Sequence, residues 1–525
     1  MNNKDSSRKA YIIGGGIAGL SAATFLIEDA GIKGENIFIL DQNQKNGGSL
    51  DAQGSAEQGY SSHGYRLFEK SAYLSTYDLL SKISSPTNPQ KTLKDDFFEF
   101  NNRLKVHAKS RLVKNGEIVE AHHLGLNWQD RLGLIKLLLL PEKYFGTLEI
   151  EEYFTPFFFE TNFWFEWSTT FAFKSRNSLI EMRRYFSRFI QCSPQIDTMK
   201  GLLSAPYCEY DFIISPLLKW LEENKVNFKQ NCKVSDIEFE KNKSKKIVTG
   251  ILLSNNQGKI DISQNDLVFL TNGSITADAS NGSMENPPAY IEKKSDSFSI
   301  WENISKKFTD LGNPSVFFNS PNTSKCESFT ITFHDAKFFE LIEKFTGNKA
   351  GEGGLITFKD SNWLMSIILP KQPYFINQPE NTFVCWGYGL FPDSYGNHIT
   401  KVMSECSGQE ILEELYGHLG LNDETRATIK NAVCIPSLLP YSSSQFLPRK
   451  ITDRPKVVPN GSQNFACIGQ YVEIPNEVVF TVEYSIRSAK IAVKKLLHLP
   501  VKIPTISQKK YNIKVLFTAI KTAFR

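Results

Sequence analysis

The sequence feature that most constrains the fold is the stretch at residues 11–24, where a short apolar strand runs into glycines spaced as GxGxxG and then into an alanine-rich helix. In such a unit Gly14 permits the tight turn from strand to helix, Gly16 lets the backbone approach a pyrophosphate, and Gly19 lets the helix pack closely on the strand. The helix N-terminus presents free N–H groups to the phosphates. The stretch therefore predicts a dinucleotide-binding unit.

A second apolar strand, at residues 36–40, ends in Asp41. Asp41 lies about 20 residues beyond the last glycine of the fingerprint, where an acidic residue takes a ribose hydroxyl. Gly48 and Ser49 follow soon afterwards, at a place where FAD proteins of this architecture commonly put another flavin contact. We therefore expect FAD rather than NAD, with Gly48 and Ser49 among its contacts.

Length and composition describe a globular protein and exclude few functions. A chain of 525 residues with 41% hydrophobic and 22% charged residues can form two or three domains with a large core. Its net charge of +4 is too small for this length to indicate nucleic-acid binding. The 39 phenylalanines can line an apolar cavity or simply build an aromatic core, and composition leaves both open.

Cysteine use and hydropathy bear on the compartment. The eight cysteines are scattered singly, without CxxC pairs or Cys/His metal spacing, so we expect reduced thiols and no metal site. Because the polar stretch at residues 1–9 leads directly into the first strand, we expect no signal peptide. The longest apolar window, at residues 132–140, is broken by Lys136 and is too short to span a bilayer. We expect a cytoplasmic protein, with peripheral contact to the inner membrane face left open.

The pattern along the chain predicts an α/β protein with an FAD-binding, Rossmann-like flavoprotein fold in three layers, an inserted substrate domain and a helical C-terminal tail. Strand patterns at residues 247–253 and 267–270 return after an aromatic-rich segment, so we expect the dinucleotide domain to be discontinuous. The expected division is an FAD-binding domain at 1–90, 200–290 and 440–497, an aromatic and helical insertion at 91–199, a substrate-binding domain at 291–439, and the tail at 498–525.

Local patterns give further expectations for single elements. Periodicity predicts helices at 68–83, 128–140 and 211–222 and a long helix from about Val479. Small polar residues at 50–62 indicate a loop. Residues 97–118 look like strands, with a hairpin turn at Asn115 and Gly116.

The C-terminal segment at residues 509–525 has its own signature. Apolar residues recur there at helical spacing with lysines and an arginine among them, which predicts a basic amphipathic helix. Such a helix can dock on its own domain or contact an anionic membrane surface, and the sequence leaves both open.

Several long stretches match one known family, and the chain resembles the oleate hydratase (fatty-acid hydratase) family, once called myosin-cross-reactive antigens. The matches run nearly from end to end and are particular to that family. They lie at residues 160–173, 206–211, 270–280, 343–370, 386–393, 403–415, 445–449 and 464–489.

The resemblance implies that FAD is bound although the net reaction is not a redox one. Water is added across the cis double bond of a free unsaturated fatty acid such as oleate, which gives a 10-hydroxy acid. This chemistry needs an acid that protonates one carbon and a group that orients water on the other. The family's proton-donor tyrosine matches Tyr207 in the sequence YCEY, and Arg66 matches a residue beside the flavin. We include Asn272 and Gly469 among the expected flavin contacts.

The chain departs from the family at two motifs. Relatives carry RGGR followed in many members by a water-orienting Glu, whereas residues 63–67 read HGYRL, with His63 for the first Arg and Leu67 in place of the Glu. Leucine cannot accept a proton. The following residues resemble a subgroup with Met at that position, in which activity persists. Glu57 and Glu69 are nearby carboxylates, and the sequence places neither of them in a pocket.

The second departure is at Arg176 and Asn177, where relatives show a Trp-His pair, and it puts substrate shape and activity in question.

Our first hypothesis is a fatty-acid hydratase. Two alternatives stay open, namely a flavin-dependent fatty-acid isomerase or oxidoreductase and a non-catalytic lipid-binding protein of the membrane surface. Oligomeric state and chain-length preference are not determined by the sequence.

Overall fold

The computed structural model describes residues 8–86, 88–241, 245–254, 258–290, 295–429, 431–506 and 509–525. The expectation of a leaderless, polar N-terminus falls on residues 1–7 and lies outside the described residues. The strands are β1 (Ala10–Ile13), β2 (Ile37–Leu40), β3 (Ala52–Ser55), β4 (Gly59–Ser62), β5 (Leu67–Phe68), β6 (Leu112–Lys114), β7 (Glu117–Val119), β8 (Leu203–Ser204), β9 (Asn227–Lys229), β10 (Val234–Phe239), β11 (Val248–Leu253), β12 (Lys259–Asp261), β13 (Leu267–Thr271), β14 (Ser280–Asn281), β15 (Cys326–Phe333), β16 (Ile356–Phe358), β17 (Met365–Ile368), β18 (Phe383–Gly389), β19 (Val433–Leu439) and β20 (Phe465–Ile468).

The α-helices are α1 (Ile17–Glu28), α2 (Leu74–Leu80), α3 (Leu93–Arg103), α4 (Trp128–Leu139), α5 (Asn162–Phe171), α6 (Leu179–Arg188), α7 (Ser215–Glu223), α8 (Ser299–Lys307), α9 (Ser315–Phe318), α10 (Pro321–Ser324), α11 (Lys337–Thr346), α12 (Gly408–His418), α13 (Asp423–Thr428), α14 (Val482–Leu496) and α15 (Ile513–Ala523). Short 3₁₀ turns connect many of them, and the π-helical turn Tyr210–Ile214 runs directly into α7.

A five-stranded parallel sheet in the order β20-β13-β1-β2-β9 forms the centre of the expected Rossmann-like α/β fold. Strands β1, β13 and β20 are nearly continuous runs of buried apolar residues, as expected for strands covered on both faces. Helices α1 and α14 pack against each other beside this sheet, and α2 packs on α14. The antiparallel sheet β10-β11-β12 contacts the beginning of β20 through the rings of Phe239 and Phe465.

The approach of α1 to β1 depends on Gly19. A Cβ atom at this position would lie 2.0 Å from the carbonyl oxygen of Gly14 and 3.1 Å from Ile12 Cγ2. Real Cβ atoms do not come that close to a backbone oxygen. Only glycine therefore allows the helix to begin directly over the end of β1, as the fingerprint predicts.

An eight-stranded sheet in the order β14-β19-β15-β18-β17-β16-β6-β7 forms the second large sheet. Its pairs are antiparallel except for β16 with β6. The hairpin β6–β7 thus belongs to this sheet, although its residues fall within the expected aromatic insertion at 91–199. The sheet buries a separate apolar core that includes Phe329, Phe358, Trp363 and Met365.

A buried network of ion pairs joins α6 to the segments that lead into α14. Arg188 Nε lies 2.9 Å from Glu477 Oε1, and Arg487 Nε lies 2.9 Å from Glu477 Oε2. Arg184 Nη2 lies 2.8 Å from Glu473 Oε1. The side chains of all these residues are at most 7% exposed. Arg449, Arg454, Glu181 and Glu483 extend the network.

Two local predictions around the first glycine-rich region are wrong. Residues 50–62 form the hairpin β3–β4 rather than a loop, because the strands pair with each other and Tyr60 N–H donates to Thr332 Oγ1 of β15 at 2.9 Å. The helix expected at 68–83 is confined to α2. Ahead of it, β5 pairs with β8, so the chain is extended at Leu67 and Phe68.

The prediction of strands from residue 97 onward is also wrong for its first residues, because residues 93–103 form α3. This helix begins at a capping box between Thr92 and Asp95, a signal that outweighs the aromatic residues that follow. The hairpin turn at Asn115 and Gly116 is confirmed, with positive φ angles of 52° and 73°. The helices expected at 128–140 and 211–222, the long helix near residue 479 and the C-terminal helix are confirmed as α4, α7, α14 and α15.

Candidate functional site

The predicted dinucleotide contacts meet at one edge of the parallel sheet. Gly14 follows β1, Asp41 follows β2, Asn272 follows β13 and Gly469 follows β20. Because the four strands are parallel, their carboxyl ends lie at the same edge, where open α/β sheets bind ligands. Gly14 N–H donates to Leu40 O at 2.8 Å and so continues the parallel pairing of β1 with β2 into the glycine turn.

Backbone surrounds the N-terminus of α1 without filling the space in front of it. Gly47 N–H donates to Gly15 O at 3.0 Å, which brings Gly47 and Gly48 beside the glycine turn. The nearest atom to a Cβ built at Gly16 would be Gly48 Cα at 3.9 Å, so this side of the turn is open. No side chain caps α1, and its first turn holds no acidic residue. The helix can therefore offer its free N–H groups to a phosphate.

The carboxylate of Asp41 is held in place by the glycine turn. Its Oδ2 accepts a hydrogen bond from Gly15 N–H at 2.6 Å, and its Oδ1 accepts one from Asn43 N–H at 2.7 Å. Burial raises the pKa of Asp41, and these two backbone donors oppose the increase. A carboxylate has about four acceptor positions. Asp41 thus retains capacity for the hydroxyls of a ribose.

Three buried polar atoms at the same edge have no hydrogen-bond partner among the described residues, namely Asn46 Oδ1, Thr271 Oγ1 and Asn272 Oδ1. Asn272 is 1% exposed. An unsatisfied buried acceptor costs about 1–3 kcal/mol, so such atoms in a native structure need an explanation. A dinucleotide carries amide, hydroxyl and ring donors of the kind that these atoms lack. The residues present therefore fit this class of cofactor.

The predicted cofactor contacts at this edge of the sheet, together with Gly48 and Ser49, are called the dinucleotide cradle. Arg66 connects the cradle to a cavity. Its Nη2 donates to Ser49 O at 2.8 Å, which brings two of the predicted flavin contacts together. Its backbone N–H donates to Glu209 Oε1 at 3.0 Å, and its Nη1 lies 3.6 Å from Glu209 Oε2. The side chain also lines the cavity.

The cavity has a volume of about 220 Å³ and a mainly aromatic wall. Its apolar side chains come from α5, α6, the turn Ile190–Gln195 and the eight-stranded sheet. The large rings are Phe163, Trp167, Phe171, Tyr185, Phe186, Phe189, Trp386 and Tyr388. An apolar cavity with a few polar groups at one end is the usual form of a small-molecule site.

Residues 63–69 form one wall of this cavity, so the motif that departs from the family lies in the site. Leu67 and Glu69 both line it, whereas Glu57 is exposed at the turn between β3 and β4. Burial lowers the pKa of His63, which also lines the cavity. Of the two carboxylates near this motif, Glu69 therefore lies in the pocket and Glu57 does not.

Tyr207 is not among the described residues that line the cavity. It is half-buried against the main core, three residues after β8. Its role stays a prediction. Sequence reasoning missed the neighbouring Glu209, which is buried, paired with Arg66 and has a pKa raised by burial. The signal was an acidic residue within YCEY, and an arginine was already assigned to the site.

The second departure lies away from the cavity. Arg176 is 71% exposed and pairs with Glu151 at 3.3 Å. Asn177 is buried, and its Oδ1 accepts a hydrogen bond from Lys174 N–H at 2.6 Å. Neither residue is among the described residues that line the cavity, so neither contacts its contents directly.

The structure also bears on metals, thiols and membranes. All eight cysteines are unpaired. In the part of the chain that the structure describes, no three His, Cys, Asp or Glu side chains come together as a metal site would require. None of the helices in the described ranges combines the length and the apolar character that crossing a bilayer demands.

Glu166 is a buried carboxylate on α5, the helix that supplies Phe163 and Trp167 to the cavity lining. It is not among the described residues that line the cavity, and neither of its oxygens has a hydrogen-bond partner among the described residues. Burial raises the pKa of Glu166 to about 8, although Arg111 opposes the increase. At neutral pH the carboxyl group of Glu166 is therefore mostly protonated in the folded protein, whereas it is ionised in the unfolded chain.

Comparison with known proteins identifies relatives over nearly the whole chain. The model of the MCRA family matches residues 7–494. An oleate hydratase from Streptococcus pyogenes serotype M49 (strain NZ131) is 36% identical over 525 residues, which cover 98% of this chain and 89% of that one. A linoleate hydratase from Lactiplantibacillus plantarum is 32% identical and covers 94% of each chain.

One solved structure shows the likeness of fold. It is the cyclohexylamine oxidase from Brevibacterium oxydans IH-35A, with a TM-score of 0.55 and 10% sequence identity, and the match covers 94% of this chain and 99% of that one. At this identity the likeness concerns the fold alone.

The substitutions Gly16→Ala and Gly19→Ala separate the two roles of the fingerprint. A methyl group at residue 19 would overlap a backbone oxygen, so we expect the free energy of unfolding to fall by about 3 kcal/mol. Gly16→Ala has room in the protein alone, so its melting temperature should stay unchanged while its affinity for FAD falls at least about tenfold. Calorimetry and FAD titration measure both effects. Wild-type FAD affinity in Gly16→Ala would contradict this assignment.

Glu166→Gln tests the buried carboxylate through pH. Since the folded pKa is raised, the stability contribution of Glu166 is complete below the unfolded pKa near 4.5 and is lost as pH rises to about 8. Relative to that of the glutamine variant, the free energy of unfolding of the wild type should fall by about 1.4 kcal/mol for each pH unit over that window. Urea denaturation at several pH values measures this difference. A constant offset between the two proteins would show that Glu166 is charged in the fold, and Glu57→Gln is the exposed control.

Proposed function

The chain belongs to the MCRA family, and on that premise we propose that it is an FAD-dependent fatty-acid hydratase, which adds water to the cis double bond of oleate-like free fatty acids to give 10-hydroxy fatty acids. The observation that carries the proposal is the continuity of two sites. Arg66 contacts Ser49 in the dinucleotide cradle and lines the apolar cavity, so a cofactor and a lipid chain would meet at this residue.

We propose that FAD is held by the residues named from the sequence. Gly14, Gly16 and Gly19 shape the turn at the N-terminus of α1, and Asp41 takes the ribose. The remaining proposed contacts are Gly48, Ser49, Arg66, Asn272 and Gly469. Their support is the open space before Gly16 and the unsatisfied acceptor of Asn272. When bound, FAD would supply polar groups rather than electrons, because hydration transfers no net electrons.

The proposed domain division follows the parallel sheet. Its strands come from residues 10–40, 227–271 and 465–468, so an FAD-binding domain at 1–90, 200–290 and 440–497 is supported by hydrogen bonding between distant segments. We propose a substrate-binding domain around the eight-stranded sheet and a separate tail at 498–525.

We propose Tyr207 as the proton donor of the reaction. An isolated alkene is a weak base, so a proton must be delivered by a positioned acid while positive charge develops on the second carbon. In support, β8 pairs with β5, where Leu67 lines the cavity, and Tyr207 follows β8 closely. The aromatic wall excludes bulk water from the chain of the substrate.

The first experiment incubates purified protein with FAD and oleate in heavy-oxygen water, with and without a reductant, followed by mass spectrometry of the lipid. We expect a labelled 10-hydroxy acid from wild type and at least about a 100-fold lower rate from Tyr207→Phe. Tyr144→Phe, whose ring is 64% exposed, is the control. A lipid of unchanged mass with a moved double bond would favour an isomerase, consumption of an electron acceptor an oxidoreductase, and bound but unchanged oleate a lipid-binding protein.

We propose a cytoplasmic location with peripheral contact to an anionic membrane surface through residues 509–525. The support is the pattern of α15, which leaves Ile513 83% and Phe517 69% exposed, with Lys514 and Lys521 on the same helix. Apolar side chains of α4 are also exposed, and Arg131 lies over the ring of Phe524 at 4.6 Å. Basic and apolar side chains together bind anionic lipid surfaces.

Replacing Ile513 and Phe517 by serine should weaken sedimentation with vesicles of anionic lipid at least about tenfold, because the apolar anchor of the helix is removed. Both side chains are exposed, so the fold should keep its melting temperature. Tyr395→Ser removes a similarly exposed ring, 65%, on a loop of the eight-stranded sheet and is the matched control. Equal partitioning of all three proteins would rule out the membrane role of α15.

A further inference from the structure

A single carboxylate lines the cavity. Of its described lining residues, Glu69 is the one Asp or Glu, and the other ionisable groups are phenols, thiols, His63, Arg66 and Lys200. Hydration by the proposed route leaves one proton of the attacking water to be removed. The question is therefore which lining group accepts it.

Most lining groups cannot serve as this acceptor. Burial, reinforced by the charge of Glu69, raises the pKa of the Cys192 thiol to about 12. Burial also raises the pKa of the Tyr73 phenol well above its ordinary value. His63 is a weak base because burial lowers its pKa, and protonation would leave a second positive charge beside the cationic carbon. A carboxylate stabilises that charge instead.

The carboxylate of Glu69 is fixed in position and still has free capacity. Its Oε2 accepts a hydrogen bond from Ser71 N–H at 2.7 Å, and Ser71 Oγ lies 2.8 Å from Oε2 and 3.0 Å from Oε1. Lys509 Nζ donates to Ser71 Oγ at 2.8 Å, which directs the hydroxyl proton of Ser71 to the carboxylate. Two donors occupy about half of the acceptor positions of Glu69, and the others are free for a water molecule.

We propose that Glu69 binds the water that adds to the alkene and accepts its proton, an inference that rests on the proposed hydratase function. The alkene electron pair forms a C–H bond with the proton of the acid. The water oxygen then bonds to the second carbon, and its released proton passes to Glu69. Return of this proton from Glu69 to the acid through solvent restores both groups, so that no oxidant or reductant is required.

The test measures hydration of oleate by holoenzyme of Glu69→Gln, with Glu57→Gln as the exposed control. We expect the kcat of Glu69→Gln to fall at least about 100-fold, with KM and FAD affinity within about threefold of wild type. Glu57→Gln should retain wild-type kcat. Formate added to Glu69→Ala should restore part of the rate, because a small carboxylate can enter the space left by the side chain.

A merely structural role for Glu69 predicts a different pattern. Ser71→Ala disturbs the same turn but keeps the carboxylate, so it should lose less than about tenfold in kcat if Glu69 acts chemically. Loss in Ser71→Ala equal to that in Glu69→Gln, without rescue by formate, would overturn the proposal, as would undiminished kcat in Glu69→Gln. Absence of hydrated product from wild type would instead overturn the hydratase function, and this inference with it.

Discussion

The buried ion pairs between α6 and the segments that lead into α14 fix the position of α6 relative to α14, and the site depends on that position. Charges removed from water are stable in a protein only when each has a partner in good geometry, and loss of one partner leaves the other unpaired. Glu477 is paired with both Arg188 of α6 and Arg487 of α14. A shift of either helix would therefore expose or strand a buried charge. Since α6 carries Tyr185 and Phe186 into the cavity wall, the network also holds that wall against the dinucleotide-binding part of the chain.

Those parts of the site that follow from local backbone rules could be predicted from the sequence. The glycine fingerprint predicted the turn, because at Gly19 only a hydrogen atom fits against the carbonyl of Gly14. The position of Asp41 beside the glycine turn follows from sheet geometry, since parallel strands bring their carboxyl ends to one edge. These features depend on residues close in sequence or on the geometry of a single sheet.

The rest depends on contacts that one sequence does not display. The apolar pattern at residues 68–83 suggested an unbroken helix, yet β5 pairs with β8 from more than a hundred residues away. The extended segment and the turn after it bring Glu69 into the cavity wall, a position that a helix prediction could not give. Similarly, the hairpin at 50–62 forms because Tyr60 N–H is met by Thr332 of a remote strand.

The C-terminal helix α15 contacts a segment that forms part of the cavity wall. It packs on the turn Ile190–Gln195, which supplies Cys192 to the cavity lining. Arg525 Nη1 donates to Pro194 O at 3.1 Å in the same turn, and Lys509 reaches Ser71, the partner of Glu69. The surface proposed to meet a membrane is thus joined to the cavity wall through this turn and through Ser71. Because burying each methylene of a fatty acid is worth about 0.8 kcal/mol, the lipid chain of the proposed substrate is stabilised both at a membrane and in the apolar cavity.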